Sequence, residues 1–295
     1  MKKKIMILLA ILASLNLIVL CNAESTEYMD LKWEYSTDSA VVFVHVDDLD
    51  NDGSKEVITI SSKGTSMGGA GWIYVLNEEG SLKWKYPLPG SISAILIDDL
   101  NKDGKKDIIV GVFSYVHVLD SNGNLTWSSK TRFKYRIISL FAEDLDNDGS
   151  KELIAGTHGP RYRAGGKLFV INEKGYHEGK MQVDVISWAN TLYVTDLDKN
   201  GLKEIIVGTD TYGVHEYPSY IQVFNATSDE IWKYKTKKGI QSLSVYDLDG
   251  DGWDEILVGC QEYFYVLDKH GECKGNFTTG GRIRDIFVTD LENDG

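Results

Sequence analysis

An acidic nine-residue motif that recurs along the chain constrains its fold more than any other feature. The first copy runs from Asp48 to Glu56 and the fifth from Asp247 to Glu255. Counting a sixth copy that starts at Asp290, the first residues of the copies are separated by 51, 45, 52, 51 and 43 positions. A repeat of this length predicts an array of equivalent structural units rather than a domain built around one special site.

The composition of the motif points to a bound cation. Each complete copy has oxygen-bearing side chains at its first, third and fifth positions, a glycine at its sixth and a carboxylate at its ninth. The glycine permits a sharp turn, and the backbone carbonyl of the seventh residue can point into the loop. Such a flexible set of oxygen ligands favours calcium over magnesium. The copies contain no Cys or His, which argues against zinc and copper.

The sequence therefore predicts about one structural Ca²⁺ per complete unit. The predicted ligands are Asp48, Asp50, Asp52, Ser54 and Glu56; Asp99, Asn101, Asp103, Lys105 and Asp107; Asp144, Asp146, Asp148, Ser150 and Glu152; Asp196, Asp198, Asn200, Leu202 and Glu204; Asp247, Asp249, Asp251, Trp253 and Glu255; and Asp290, Glu292 and Asp294. Asn101 and Asn200 replace acids, so their loops carry less charge and are expected to bind more weakly. The sixth copy lacks its closing ligand.

The motif differs from an EF-hand, which has a glutamate at the twelfth position and a helix after the loop. Here the twelfth residues are Thr59, Val110, Ala155, Val207 and Val258. Short β-branched runs such as Ile205–Gly208 follow each loop and predict strands. The same observation argues against a dockerin, which would have two copies and helices.

Asp-x-Asp-x-Asp-Gly-x-x-Asp/Glu between two strands, followed by Ile-Ile-Val-Gly, resembles the FG-GAP (VCBS-type) repeat of integrin-α-like β-propellers. The resemblance covers nearly all of residues 30–295. It implies an all-β fold with structural calcium, and a recognition or adhesion module whose ligand binds the face opposite the calcium loops.

The strand pattern within each unit also predicts a propeller of four-stranded blades. In the second unit the predicted strands are 93–97, 107–110, 115–119 and 125–127. We expect five complete blades and a truncated sixth, at approximately 33–83, 84–126, 127–179, 180–231, 232–274 and 275–295. The partial blade holds one predicted strand, Arg284–Thr289. Trp84, Trp127 and Trp232 recur in the outermost strand, where we expect them to pack between blades.

The first 23 residues read as a secretory signal peptide. Three lysines precede an apolar stretch over residues 5–20, and Ala23 offers a small residue for cleavage. We therefore expect a secreted or cell-surface protein, although an uncleaved membrane anchor stays open. Without this segment the chain has 28 basic and 44 acidic residues, a net charge of 28 − 44 = −16. Such a charge disfavours nucleic acid and anionic membranes as partners.

Three long connections between the second and third strands predict a surface for a protein or glycan ligand, at 61–71, 157–166 and 209–219. Aromatic, Arg and His residues on loops over a rigid scaffold are typical of recognition surfaces. The predicted ligand-face residues are Trp72, His158, Arg161, Tyr162, Arg163, Tyr212, His215 and Tyr217. An equally open interpretation is that these are surface loops without a ligand.

An enzyme is the alternative function, although the sequence favours a binding module. Gly-x-Ser-x-Gly, His-Glu-x-x-His and phosphate-loop motifs do not occur. Some polysaccharide lyases resemble this chain in building a propeller from calcium-loop blades, so an extracellular polysaccharide-active enzyme with its site in the central channel stays open. That site would need basic and His residues, and the strands entering the loops offer mainly His45, Tyr193 and Tyr246. A quinoprotein is disfavoured because the sequence has no adjacent Cys pair.

Overall fold

The regular structure of this chain consists of β-strands. The computed structural model describes residues 6–10, 16–22, 29–62, 70–90, 92–131, 135–159, 165–182, 187–210 and 218–288. Across these ranges we find no helix with the length and apolar character needed to span a membrane.

The strands follow one another along the chain and lie next to their sequence neighbours in the sheets. They are β1 (Met6–Ala10), β2 (Asn16–Asn22), β3 (Met29–Ser36), β4 (Val41–Asp47), β5 (Glu56–Ser62), β6 (Gly71–Leu76), β7 (Leu82–Leu88), β8 (Ile92–Asp98), β9 (Asp107–Val112), β10 (Tyr115–Leu119), β11 (Leu125–Lys130), β12 (Arg136–Glu143), β13 (Glu152–His158), β14 (Lys167–Ile171), β15 (His177–Gln182), β16 (Trp188–Thr195), β17 (Glu204–Asp210), β18 (Ser219–Phe224), β19 (Glu230–Thr236), β20 (Ile240–Tyr246), β21 (Glu255–Leu267) and β22 (Cys273–Arg282).

Four antiparallel sheets of four strands follow in order: β4–β7, β8–β11, β12–β15 and β16–β19. The fifth sheet, β20–β22, has the same plan because β21 is long and bends at Glu262, where φ is +68°. Its first half pairs with β20 and its second half with β22. A separate sheet joins β1, β2 and β3. The fold is thus all-β with repeated four-stranded units, as predicted.

The core lies between neighbouring sheets rather than inside any one of them. Four apolar clusters each join two successive sheets; one of them packs Ile58 and Ile73 of the first four-stranded sheet against Ile108 and Val110 of the next. Both faces of a sheet are therefore covered, and strands such as β9 are buried at every residue. This two-sided burial explains why the second strands have continuous β-branched runs rather than an alternating pattern.

A tryptophan of one sheet docks on a tight turn of the next sheet. The Trp127 indole N–H donates to the Glu173 carbonyl at 2.8 Å, in the turn between β14 and β15. A Cβ on Gly175 of that turn would lie 2.9 Å from the Trp127 ring, so the close approach requires glycine. We call this contact the indole lock. The locks are Trp33 on Gly80, Trp84 on Gly123, Trp127 on Gly175 and Trp232 on Gly271. The prediction that Trp84, Trp127 and Trp232 pack between units is confirmed, and Trp33 makes the same contact.

The sheets do not begin and end at the predicted unit boundaries. Each hydrogen-bonded sheet includes its own outermost strand, so the five sheets span 41–88, 92–130, 136–182, 188–236 and 240–282. Each predicted boundary between units falls within that outermost strand.

The two ends of the chain also differ from the sequence expectation. The predicted strand Arg284–Thr289 is irregular through residue 288, although the Ile283 amide donates to the Cys260 carbonyl at 3.1 Å. β1 and β2, which lie inside the predicted signal segment, pair with each other, and β2 pairs with β3. Cleavage of that segment remains a prediction.

Candidate metal centres

Each acidic motif forms a loop between the first and second strands of its sheet, and the two ends of the motif hold the loop closed. In the first loop, Asp48 Oδ2 accepts the Gly53 N–H at 2.9 Å and Glu56 Oε2 accepts the Leu49 N–H at 3.0 Å. The other four loops repeat both bonds. The first and ninth carboxylates therefore shape the loop as well as offering oxygens to a cation.

The backbone conformation of the loop explains why its turn has the sequence Asn-Asp-Gly or a related one. Asn51 and Gly53 both have positive φ, at +60° and +91°, and the corresponding residues of the other loops have positive φ as well. Asparagine and glycine tolerate this left-handed conformation best. The leucine after the first aspartate completes the loop, because Leu49, Leu100, Leu145 and Leu197 are buried between neighbouring sheets.

Four of the loops bring three carboxylates together, with one oxygen of each residue within 4.8 Å of the others. The gathered sets are Asp48, Asp50 and Glu56; Asp144, Asp146 and Glu152; Asp196, Asp198 and Glu204; and Asp247, Asp249 and Asp251. The second loop has Asn101 in place of its second acid, and the Asn101 amide donates to Asp103 at 3.1 Å. Several acidic groups could therefore hold a metal ion.

The fifth motif position accepts a backbone N–H of the turn in every complete loop. In the first loop Asp52 Oδ1 accepts the Ser54 N–H at 2.8 Å, and Asp52 is not part of the gathered set. Asp103, Asp148, Asn200 and Asp251 make the same bond, and Asp251 does so as a member of its gathered set. The fifth loop gathers Asp251 but leaves out Glu255. The predicted ligands Asp290, Glu292 and Asp294 lie outside the described residues.

The electrostatics of these loops favour a bound cation. The closing acids are buried, with Glu56 only 2 % exposed. Burial, with nearby acids adding to it, raises the pKa of Asp107 to about 6 and also raises the pKa of Glu204 and of Glu255. Asp144 Oδ1 is buried and has no hydrogen-bond partner among the described residues. A divalent ion would supply the missing ligand partner and offset the like charges, so the residues fit calcium.

The first loop holds a cationic group that the motif did not predict. Lys83, on the outermost strand β7, places Nζ 2.9 Å from both Asp50 Oδ2 and Glu56 Oε1. The hydrogen bond from Lys83 is the main cause that lowers the pKa of Asp50. Lys83 directly precedes Trp84, and the residues before Trp127 and Trp232 are Thr126 and Ile231. A cation that enters the first loop must compete with this ammonium group.

Lysines also link neighbouring loops. The Lys106 amine bonds to Asp47 of the preceding repeat, and the Lys151 amine lies 2.7 Å from both oxygens of Asp98. Both lysines stand at the eighth motif position, and both acids stand directly before a motif. A reading of the residues around the motif, and not only inside it, could have found this pairing.

Two of the eight predicted ligand-face residues can be located. Trp72 lies in β6 with Lys85 Nζ 4.6 Å from its ring centre. His158, at the end of β13, stacks on Trp188 with 4.7 Å between ring centres. The other predicted ligand-face residues, Arg161, Tyr162, Arg163, Tyr212, His215 and Tyr217, lie outside the described residues.

The residues named for a catalytic channel have separate surroundings. His45 Nε2 lies 3.4 Å from Asp47 Oδ2, and Tyr193 packs against Phe141 with 5.7 Å between ring centres. Tyr246 is partly exposed at the end of β20. We find no contact that joins the three within the described part of the chain.

Comparison with known proteins identifies the class. Sqt1 of Saccharomyces cerevisiae superposes with a TM-score of 0.70 at 14% identity, over 96% of this chain and 73% of Sqt1. The structure of BBS1N in complex with ARL6DN gives 0.61 at 11% identity, over 95% and 79% of the two chains. The WD40 domain of Neurospora crassa Pan2 gives 0.53 at 13%, over 87% and 73%. At these identities the similarity shows the fold alone, which is a β-propeller.

The sequence also matches the FG-GAP-like repeat, at residues 48–110 and 99–155. Residues 48–155 therefore carry FG-GAP-like repeats, within a chain that has a β-propeller fold. A comparison with curated proteins finds no match.

Proposed function

We propose that this protein is a secreted or cell-surface propeller that is stabilised by calcium and acts as a recognition or adhesion module. The observation that carries the proposal is the gathering of three carboxylates in four loops, each within 4.8 Å. Repetition of one arrangement at equivalent places suits a structural ion in each unit. A catalytic metal would instead need one open site with its own surroundings.

Calcium counting on the intact chain tests the metal part of the proposal. Native mass spectrometry in excess calcium is expected to show four bound ions, one for each gathered set, with the Asn200 loop the weakest of the four. A still weaker fifth ion is expected in the second loop. Lys83→Met should tighten the first site roughly tenfold, because it removes an ammonium that pairs with two of the ligands. Each partly exposed pair contributes up to about 1 kcal/mol, and about 1.4 kcal/mol corresponds to a factor of ten.

The matched control for Lys83→Met is Lys85→Met on the same strand. Lys85 lies over the Trp72 ring and 3.4 Å from Asp38, away from the acidic loop. The Lys85→Met variant should therefore have the same calcium affinity as the parent at every site. A chain that binds no calcium, or a Lys83→Met variant with the parent affinity at all sites, would contradict the proposal.

The recognition part of the proposal rests on the predicted signal segment and on the loops opposite the acidic motifs. Strand β5 leaves its acidic loop at Glu56 and ends at Ser62, so the connection after residue 62 starts at the other end of the sheet. Trp72 and His158 border two such connections. We expect the calcium-loaded chain to bind an extracellular protein or glycan on an array, and Trp72→Ala with His158→Ala to weaken this binding. Tyr246→Ala, at the calcium-loop end, should leave it unchanged; equal losses would count against this face.

A further inference from the structure

One junction between neighbouring sheets lacks the indole lock. In the locked junctions, Trp84, Trp127 and Trp232 stand opposite Val75, Val118 and Val223 of the adjacent strand. The corresponding pair in the third four-stranded sheet is Val170 and Gly179. The outermost strand of this sheet, β15, therefore has no side chain at the tryptophan position.

The turn that faces this position also differs from the locked turns. The four locked turns have glycine at the contact, with φ between +80° and +85°. The turn between β18 and β19 has Ser228 there, with φ of +76°. A Cβ in a locked turn would lie within 2.9 Å of an indole, so serine is tolerated only because no indole of the same chain occupies this junction.

A cavity of about 310 Å³ lies at this junction. Its lining includes Leu145 and Val170 of one sheet, Ala226 and Ser228 of the next, and Asp146 and Glu152 of the third acidic loop. In the locked junctions the second residue of the turn accepts the indole N–H through its carbonyl, at 2.8–3.1 Å. The equivalent carbonyl belongs to Ala226, and no described residue donates a hydrogen bond to it.

We propose that this cavity, the indole slot, binds a tryptophan side chain presented by a partner polypeptide. The four indole locks of this chain show which group fits at such a junction. In each of them a planar indole ring packs against the turn and its N–H donates to a carbonyl of the turn. The lining combines apolar Leu145, Val170 and Ala226 with polar groups and the Ala226 carbonyl. Such a lining favours an aromatic group with an N–H donor over a plain hydrocarbon ring.

None of the tryptophans in residues 1–295 is free to occupy the slot. The sequence has 7 tryptophans, and all of them lie in described residues. Four form the indole locks, and the other three are engaged elsewhere: Trp72 with Lys85, Trp188 with His158, and Trp253 with Lys269. The undescribed connections contain no tryptophan that could fold back into the slot. The slot therefore suits a second protein that docks on the side of the propeller and inserts a tryptophan.

The test uses the full chain with two probes, 5-fluoroindole and a short peptide with a central tryptophan, observed by fluorine NMR and calorimetry. We expect saturable binding of both, with the peptide at least tenfold tighter. A peptide with phenylalanine in place of tryptophan should bind at least tenfold more weakly, because it cannot donate to the Ala226 carbonyl.

Two variants make the test decisive. Gly179→Trp combined with Ser228→Gly rebuilds the indole lock inside the chain and should abolish binding of both probes. Trp127→Gly opens an equivalent slot at the preceding junction and should add a second site for 5-fluoroindole. The proposal is overturned if the parent binds neither probe, or if the rebuilt variant, shown to be folded by circular dichroism, binds them as the parent does. Binding of fluoroindole without any gain for the peptide would overturn the partner-polypeptide occupant and indicate a small aromatic ligand.

Discussion

Removing calcium at near-neutral pH is expected to lower the free energy of unfolding of this protein by roughly 10 kcal/mol. A ligand that binds only the folded state stabilises it by about 2.7 kcal/mol per site when its free concentration is a hundredfold above Kd. Four loops gather a carboxylate set that can hold an ion, and the contributions of separate sites add. Chemical unfolding with saturating calcium and with chelator measures the difference. A midpoint that does not move would show that the loops are turns and not metal sites.

The pH dependence should have opposite signs with and without the ion. Burial raises the pKa of Asp107 from 3.8 to about 6, and Glu204 and Glu255 shift in the same direction. Between about pH 4 and pH 6 these three acids therefore hold more protons in the folded chain than in the unfolded chain. Without calcium, their contribution to stability is largest at the acid end of this window and is lost as the pH rises. With calcium, the stability should instead increase as the pH rises, because the ion binds the ionised ligands.

The control for this pH effect is Asp107→Asn. The amide oxygen can still accept the Leu100 N–H, which Asp107 Oδ2 accepts at 3.2 Å in the parent. The variant should lose part of the calcium-free slope while the calcium count of the four gathered loops stays the same. A calcium-free profile that is flat between pH 4 and pH 6, or that rises, would contradict the assignment of these shifts to the closing acids.

The features that the sequence predicted well are those set by short stretches of chain. The Asp-x-Asp-x-Asp-Gly turn positions have the expected positive φ, and the apolar run at Ile205 is a fully buried second strand. The packing of Trp127 between units could also be predicted, because a large aromatic residue that recurs at one place in each repeat meets the same neighbour each time. Each of these features is decided by the chemistry of a short stretch of chain. The family resemblance rests on the same short stretches.

The features that the sequence missed depend on contacts across the sheet or between sheets. Lys83 lies 27 residues from Glu56, and only the register of three strands brings its amine to that carboxylate. Asp52 and Asp251 both accept the N–H of the residue two positions on, yet only Asp251 belongs to a gathered set, and the motif alone cannot distinguish these two cases. The vacant indole slot required both the pairing of Gly179 with Val170 and the facing turn at Ser228. Each of these is a property of the assembled sheets.

Substitution of Trp127 by alanine is expected to lower the free energy of unfolding by about 3 kcal/mol, the lower end of the range for a core tryptophan because this side chain is half-buried. The loss combines the apolar contact with the next sheet and the hydrogen bond to Glu173. Gly175→Ser on the other side of the lock should cost a comparable amount. Its Cβ would lie 2.9 Å from the ring, at a φ of +85° that disfavours a side chain.

Ser228→Gly is the matched control, because it changes the same turn position where no indole is docked. Glycine relieves the left-handed serine, so the variant should be neutral or more stable by less than about 1 kcal/mol. Urea unfolding of the three variants in saturating calcium measures the contrast. A free energy of unfolding for Trp127→Ala within about 0.5 kcal/mol of the parent value, the range of ordinary surface substitutions, would show that the indole lock does not stabilise the fold. Since the lock recurs at four junctions and is absent at one, the same series separates the tryptophans that hold this propeller together from the slot that is free to hold another protein.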